Sequence, residues 1–401
     1  MTAQMVTLGD LYLIGSSKRV LKSQWKTEGV PFYRGREITR LAADGFVENE
    51  LFISEEHFAE LAGRSGVPKP GDIVITAIGT IGNAHIVREG DRFYFKDASV
   101  LWMKRTTDVS SKFIHLWLQS PLFFEQLDKD NGATVDTLTI QKLQSVRLCV
   151  PPLPEQQRIV AILDEAFETI AAARANAEQN RQNARALFES YLQSVFSQRG
   201  EGWVERTLDE AVDQYCSLSY GIVQPGDEMA DGLPIVRPTD LGVKVIELNG
   251  LKRIDANLAD SYRRTTLRGN DLLLCVRGTT GLLSISSKTL LGGNVTRGIV
   301  PIHFEPSLLS QEFGYYLMRS EPVQTQIRKK TYGTALMQIN IRDLRKLVIS
   351  IPSLQKQHEL VAKFDALWKD TQRLESLYQR KIEALDELKQ SLLQQAFSGQ
   401  L

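Results

Sequence analysis

Shifted by about 200 residues, this 401-residue chain matches itself. Thr7 and Leu8 answer Thr207 and Leu208. PFYRGREI from Pro31 answers PIVRPTDL from Pro234, and GDIVITAIGTIG from Gly71 answers NDLLLCVRGTTG from Asn270. Gly132, Ala133 and Thr134 answer Gly333, Thr334 and Ala335. PPLPEQQRIVAILDEAF from Pro151 answers PSLQKQHELVAKFDALW from Pro352. The last 45 or so residues of each half align without a gap at a constant shift of 201, whereas the earlier parts need insertions and share mainly apolar and Gly positions. One chain therefore holds two copies of one unit, whose tail is held similar while its body has drifted. Uneven drift points to one shared mechanical role and two different binding roles.

Length alone suggests two or three domains. Hydrophobic residues at 42% and charged residues at 24% describe a globular chain with ample core. Lys and Arg number 48 and so do Asp and Glu, so the formal net charge is zero. Bulk charge cannot then carry nucleic-acid binding, and local patches must. Cys149, Cys216 and Cys275 are far apart and show no CxxC spacing, which suggests neither a disulfide framework nor a zinc ribbon. The opening MTAQMVTLGDLYLIGSSKRV lacks a basic region followed by a long apolar stretch, and no apolar run reaches the roughly 18 residues of a membrane span. A soluble cytoplasmic protein is expected.

In the bodies, DIVITAI from Asp72, RFYFKD from Arg92, SVLWMKR from Ser99 and DLLLCVR from Asp271 read as strands between tight turns. Helices are expected near 113–129 and 311–330. From 155 to about 198, and from 355 to about 397, there is no Pro or Gly. Each stretch reads as a helix about 65 Å long. Pro151, Pro152, Pro154 and Pro352 mark the starts. Leu163, Ala166, Ile170, Ala173, Ala177, Ala184, Leu187 and Tyr191 recur at steps of three and four, and Phe364, Leu367, Leu374, Tyr378, Leu385, Leu388 and Leu392 take the matching places. A repeat near 3.5 residues is a coiled-coil seam. Asn180 and Lys381 fall on the same column, where polar residues fix register, and Thr371 is a milder exception. The expected fold is α+β, with two mixed bodies joined by two long helices that form an antiparallel coiled coil, and an internal pseudo-two-fold repeat. The boundaries are 1–150 and 201–351 for the bodies, and 151–200 and 352–401 for the helical spacers. The alternative is two helices buried separately. The Ala-rich face from Ala171 to Ala177 either admits a partner helix or reflects helix propensity alone.

PLPEQQRIVAILDEAF, followed by a long helix ending SYLQSVFSQ, resembles the conserved region of the DNA specificity subunits of type I restriction–modification enzymes (the HsdS family). The ending SLLQQAFSGQL is similar to that family's C-terminus. The Pro-x-x-Arg run, the Gly-Asp strand followed by GTxG, and the Gly-containing turn near the end of each body fit its target recognition domains. The resemblance covers essentially the whole chain; QKQHELV departs from it where the family favours an EQ-type run. It implies a subunit with no catalysis of its own that binds a split double-stranded DNA target, one half-sequence per recognition domain. Two adenine methyltransferase subunits dock on its conserved helices, and motor-nuclease subunits join them. The assembly uses S-adenosylmethionine, ATP and magnesium, and this chain binds no cofactor or metal.

The residues can be weighed beside that implication. GTIGNAH and GTTGLLS lack the lysine of a phosphate-binding loop. His57, His85, His115, His303 and His358 show no metal-ligand spacing, and no motif marks a nucleophile. Charge is locally uneven. Lys18, Arg19, Lys22, Lys26, Arg34, Arg36 and Arg40 face only Glu28 and Glu37 in the same stretch. Lys252, Arg253, Arg263, Arg264 and Arg268 form a second cluster, and Arg328, Lys329 and Lys330 a third. Arg34 and Arg237 match between the copies, so they are expected to grip backbone or hold structure. Base readers belong where the copies differ, which makes Arg277 a candidate, since Ile78 is its counterpart. Thr80, Thr279 and Thr280 beside the GTxG turns, and Thr134 and Thr334 in the later loops, are further candidates for phosphate or base contact. Two dissimilar bodies imply an asymmetric, interrupted target, with at most roughly 19 base pairs, and better about 10, between half-site centres. A coiled-coil scaffold with two protein-binding domains and no DNA is the competing class, and a single-chain nuclease or methyltransferase is the third.

Overall fold

The computed structural model describes residues 3–128, 137–333 and 336–401. The chain divides into two compact units, residues 1–178 with 379–401, and residues 179–378.

In the first unit, Gln4–Thr7 pairs antiparallel with Arg147–Val150. A four-stranded antiparallel sheet runs in the order Tyr12–Gly15, Val100–Arg105, Ile73–Thr76 and Ala84–Ile86. Val30–Tyr33 lies between Phe52–Ile53, antiparallel, and Tyr94–Phe95, parallel. The apolar run Ile73, Val74 and Ile75 is fully buried, as a strand covered on both faces requires. The Gly-Asp motif before it is structural. Buried Asp72 accepts hydrogen bonds from the Lys69 and Arg105 backbone N–H groups at 2.9 and 3.0 Å and from the Trp102 indole at 2.9 Å.

The second unit repeats this plan. Val204–Thr207 pairs with Val348–Ile351, and Leu272–Cys275 lies between Leu283–Ser286 and Ile299–Ile302. Leu233–Val236 runs antiparallel to Arg253–Ile254 and parallel to Asn294–Val295. Buried Asp271 takes the part of Asp72, accepting from the Arg268 N–H and the Ser286 hydroxyl, both at 2.9 Å. The drift lies at the margins. Val245–Ile246 adds a parallel edge strand. In the second unit Thr331–Tyr332 also pairs with Gln338–Ile339 in a short hairpin.

Both GTxG turns need glycine. Gly82 and Gly281 have φ of +92° and +91°, and a Cβ would come within 2.8 Å of Phe124 in the first unit and 2.5 Å of the Gln324 amide in the second.

The long helices are Leu153–Gln198 and Leu354–Phe397. Each start is tied to its own body by one glutamine. Gln156 accepts from the Ser110 N–H at 2.9 Å and donates to the Pro151 carbonyl at 2.8 Å. Gln357 accepts from the Ser310 N–H at 2.9 Å and donates to the Pro352 and Leu308 carbonyls, both at 2.9 Å. The departure of QKQHELV from the family run thus preserves the residue that makes the contact.

Segments of the two helices run antiparallel within each unit. In the first, Leu163 and Ile159 share a core with Leu393 and Ala396, and Arg174 pairs with Asp386 at 3.1 Å. In the second, Phe188 packs edge-on to Trp368 at 4.9 Å, Tyr191 to Phe364 at 5.9 Å, and Arg185 pairs with Glu375 at 2.7 Å.

The seam differs from the apolar count in one column. Leu163, Ile170, Ala177 and Ala184 are buried on the first helix, and Phe364 and Thr371 on the second. The other expected column is displaced by one residue. Asn180, Leu187, Leu374, Lys381 and Leu388 are exposed, and the neighbours Phe188 and Ile382 are buried instead. The apolar count missed the shift because polar residues fill part of the true column through their stems. Glu375 is largely covered beside Arg185, and Lys389 lies over the Phe167 ring at 5.0 Å. Asn180 and Lys381 are therefore surface residues, not register-fixing polar residues of a buried seam.

Candidate nucleic-acid interface

Loops converge where strands of the two larger sheets end. In the second unit the Val276 N–H donates to the Gly298 carbonyl at 2.8 Å, which sets the turn after Leu272–Cys275 beside the turn before Ile299–Ile302. Arg277 and Arg297 come from these two turns. The Arg297 N–H donates to the Ile222 carbonyl at 2.9 Å, and the Tyr220 hydroxyl to the Ile339 carbonyl at 3.1 Å, so the loop around Tyr220 joins them. Arg277 also bridges to Gln338, the partner of Tyr332 in the short hairpin. The Tyr220 and Tyr332 side chains are partly exposed, the Tyr220 hydroxyl turned inward on the Ile339 carbonyl, and Leu336 and Met337 add exposed apolar surface. Burial raises the Tyr220 pKa and the Tyr332 phenol adds to this, while Arg297 and Arg277 lie close enough to oppose it.

The first unit has the same frame with different side chains. The Ala77 N–H donates to the Ser99 carbonyl at 2.9 Å, placing Ile78 and the turn containing Asp97 side by side. Asp97, Ala98 and Ser99 stand where the second unit has Arg297 and Gly298. The loop carrying Lys18 and Arg19 reaches this place. The Ser17 hydroxyl donates to the Phe95 carbonyl at 2.6 Å, and the Lys18 N–H to the Tyr94 hydroxyl at 2.9 Å. Lys18 and Arg19 are exposed.

Several expected contact residues are committed locally. Arg34 donates through Nε and Nη2 to Glu37 at 3.1 and 2.8 Å, and Arg36 binds both Glu37 and Glu50. Burial pushes Glu37 up, but the Arg34 guanidinium and N–H, with Arg36, outweigh it and hold the carboxyl at about 2. Arg237 repeats the clamp on Asp240 at 3.1 and 2.8 Å. The matched arginines thus cap the segments after equivalent strands. Arg263 pairs with Asp260 across an exposed turn, and Arg264 beside it is exposed. Around them, Lys252 and Arg253 bind the Gly226 and Gly232 carbonyls and Arg268 binds Asp213.

Thr80 and Thr279 are exposed at the GTxG turns, and the Thr280 hydroxyl lies 3.3 Å from that of Thr331. Lys329 and Lys330 close the helix Glu321–Lys330, which leads into Thr331. The structure thus gathers Arg277, Thr279 and Thr280 with the hairpin that follows Lys329 and Lys330. Thr134 and Thr334 lie outside the described residues. Sequence reasoning missed Arg297, Tyr220 and Tyr332. The rule that found Arg277, a difference between copies beside a shared turn, also marks TRGIV against KDASV. Among the described residues no group of three or more His, Cys, Asp or Glu side chains is placed to hold a metal ion, and no helix is long and apolar enough to cross a membrane.

Each unit thus carries the same strand scaffold with a differently furnished loop cluster, as in a duplicated binding protein. The sequence matches the type I restriction modification DNA specificity domain over residues 2–179 and 241–384, and the chain belongs to that family of type I restriction–modification specificity subunits. It is similar to the type I restriction enzyme EcoBI specificity subunit of Escherichia coli, with 26% identity over 293 residues, 68% of this chain; the match spans 62% of that protein's length. The HsdS subunit from Thermoanaerobacter tengcongensis shares the fold at a TM-score of 0.57 and 18% identity, covering 100% of this chain and 97% of that one. A chain from work described as the "structural basis underlying complex assembly and conformational transition of the type I R-M system" shares it at 0.77 and 20% identity, covering 100% and 98%.

Proposed function

We propose that this chain recognises double-stranded DNA for a type I restriction–modification complex, reading an asymmetric bipartite target with one half-sequence per unit. Residues 1–150 and 201–351 act as target recognition domains, and 151–200 and 352–401 as spacers on which two methyltransferase subunits and the motor-nuclease subunits dock. The chain works in the cytoplasm and carries no catalytic group. The single observation behind this reading is that equivalent strand-end loops hold different side chains in the two copies, Arg277 and Arg297 against Ile78 and Asp97. One target read twice would need the same side chains twice.

Duplex binding by the full chain tests it. Affinity for random DNA is expected to fall steeply with salt, because cations on phosphate release counterions. Selection from randomised duplexes is expected to return two unlike half-sequences with a gap. Inserting four residues in each long helix is expected to change the gap and leave the half-sequences alone. Binding that ignores salt, or no duplex binding at all, returns the chain to the class of protein-binding scaffolds.

A further inference from the structure

Resting on that reading, we propose that Arg277 and Arg297 read guanine in the half-sequence of the second unit, and that the first unit reads its own without an arginine–guanine contact at these two places. The scaffold does not ask for either arginine. The same backbone hydrogen bond joins the two turns in both units, Val276 to Gly298 and Ala77 to Ser99, and the first unit makes it with Ile78 and Asp97 alongside. Nor do local carboxylates claim them. Arg34 and Arg237 are each locked on an acid three residues on, whereas among the described residues neither Arg277 nor Arg297 is in an ion pair. The Arg277 Nε is covered and has no hydrogen-bond partner, and Arg297 is exposed.

A guanidinium with unspent, forked donors matches the two acceptors, O6 and N7, that guanine shows in the major groove. Tyr220 and Tyr332, close by and partly exposed, supply flat amphipathic surface around the pair. In the first unit the same places offer an exposed Ile78 and the acceptor-only Asp97. Those suit a thymine methyl and the amino group of cytosine, and an acid repels the acceptor edge of guanine.

The test is selection from randomised duplexes with the full chain, the retained DNA being sequenced. Wild type is expected to show guanine in one half-sequence. R277A and R297A are each expected to relax one guanine there by roughly 5- to 150-fold and leave the other half-sequence alone. R277M, which keeps the length of the side chain and removes its donors, is expected to lose that guanine preference and leave the other half-sequence alone. Substituting 7-deazaguanine in the selected duplex is expected to weaken wild-type binding, a result that depends on no variant folding. Guanine preference retained in R277M, or indifference to 7-deazaguanine, overturns the assignment. If wild type selects two half-sequences and the variants leave them unchanged, only the guanine readers are wrong. If wild type selects no sequence, the proposed function fails with them.

Discussion

His115 shows how one half-buried group ties stability to pH. Its Nε2 lies 3.0 Å from the Ala84 carbonyl and its Nδ1 3.1 Å from the Gln119 amide nitrogen, so the neutral ring with a proton on Nε2 satisfies both. Burial lowers its pKa to about 4; Lys112, His85 and Lys389 act in the same direction, against the carbonyl. An unfolded chain takes up this proton near pH 6.5, and the folded chain refuses it until about pH 4. The contribution to stability is therefore whole above pH 6.5 and is lost as pH falls from 6.5 to 4, by on the order of 3 kcal/mol. Urea unfolding across that range should show the loss, and H115Q should flatten it. The Glu37 carboxyl acts lower. Held at about 2, it contributes stability above the usual carboxylate range, and that is lost as pH falls toward 2.

At the scale of the element, the long helices carry a direct comparison. Phe188 is fully buried against Trp368 and Tyr316, while its neighbour Leu187 is 60% exposed. F188A should cost about 3–4 kcal/mol in chemical denaturation, and L187A well under 1 kcal/mol. Equal costs would restore the column that apolar spacing alone suggests. The displacement follows from helix geometry. From Ala184 the buried positions on the first helix advance by four, through Phe188, Leu192 and Phe196, as the helix turns its aromatic side into the second unit's core. A four-residue step drifts off a 3.5 repeat, and tertiary packing decides where it happens.

Across the whole molecule, the first unit is completed by chain far away in sequence, whereas the second is one continuous stretch, residues 179–378. The first unit's core takes Leu393 and Ala396 from the second long helix, and Phe397 meets Phe113 at 5.1 Å. Deleting residues 391–401 should abolish cooperative unfolding of residues 1–178 and open them to protease. L393A alone should cost about 3 kcal/mol, which separates lost packing from wholesale misfolding. A first unit that stays protected without its distant segment would show that residues 1–178 hold a sufficient core alone.

The duplication, the strands of both bodies, the two long helices and the structural part of the matched arginines were legible in the sequence. They rest on local rules: period, turn residues, proline and glycine, and likeness between copies. The clamp of Arg34 on Glu37 is three residues long, and its repetition at Arg237 and Asp240 is visible by eye. Tertiary structure decided the rest. Which basic residues are free depends on carboxylates and carbonyls that folding brings near, as with Arg268 on Asp213, 55 residues away. The meeting of Arg277, Arg297, Tyr220 and Tyr332 depends on backbone bonds between strands distant in sequence, which no local pattern encodes.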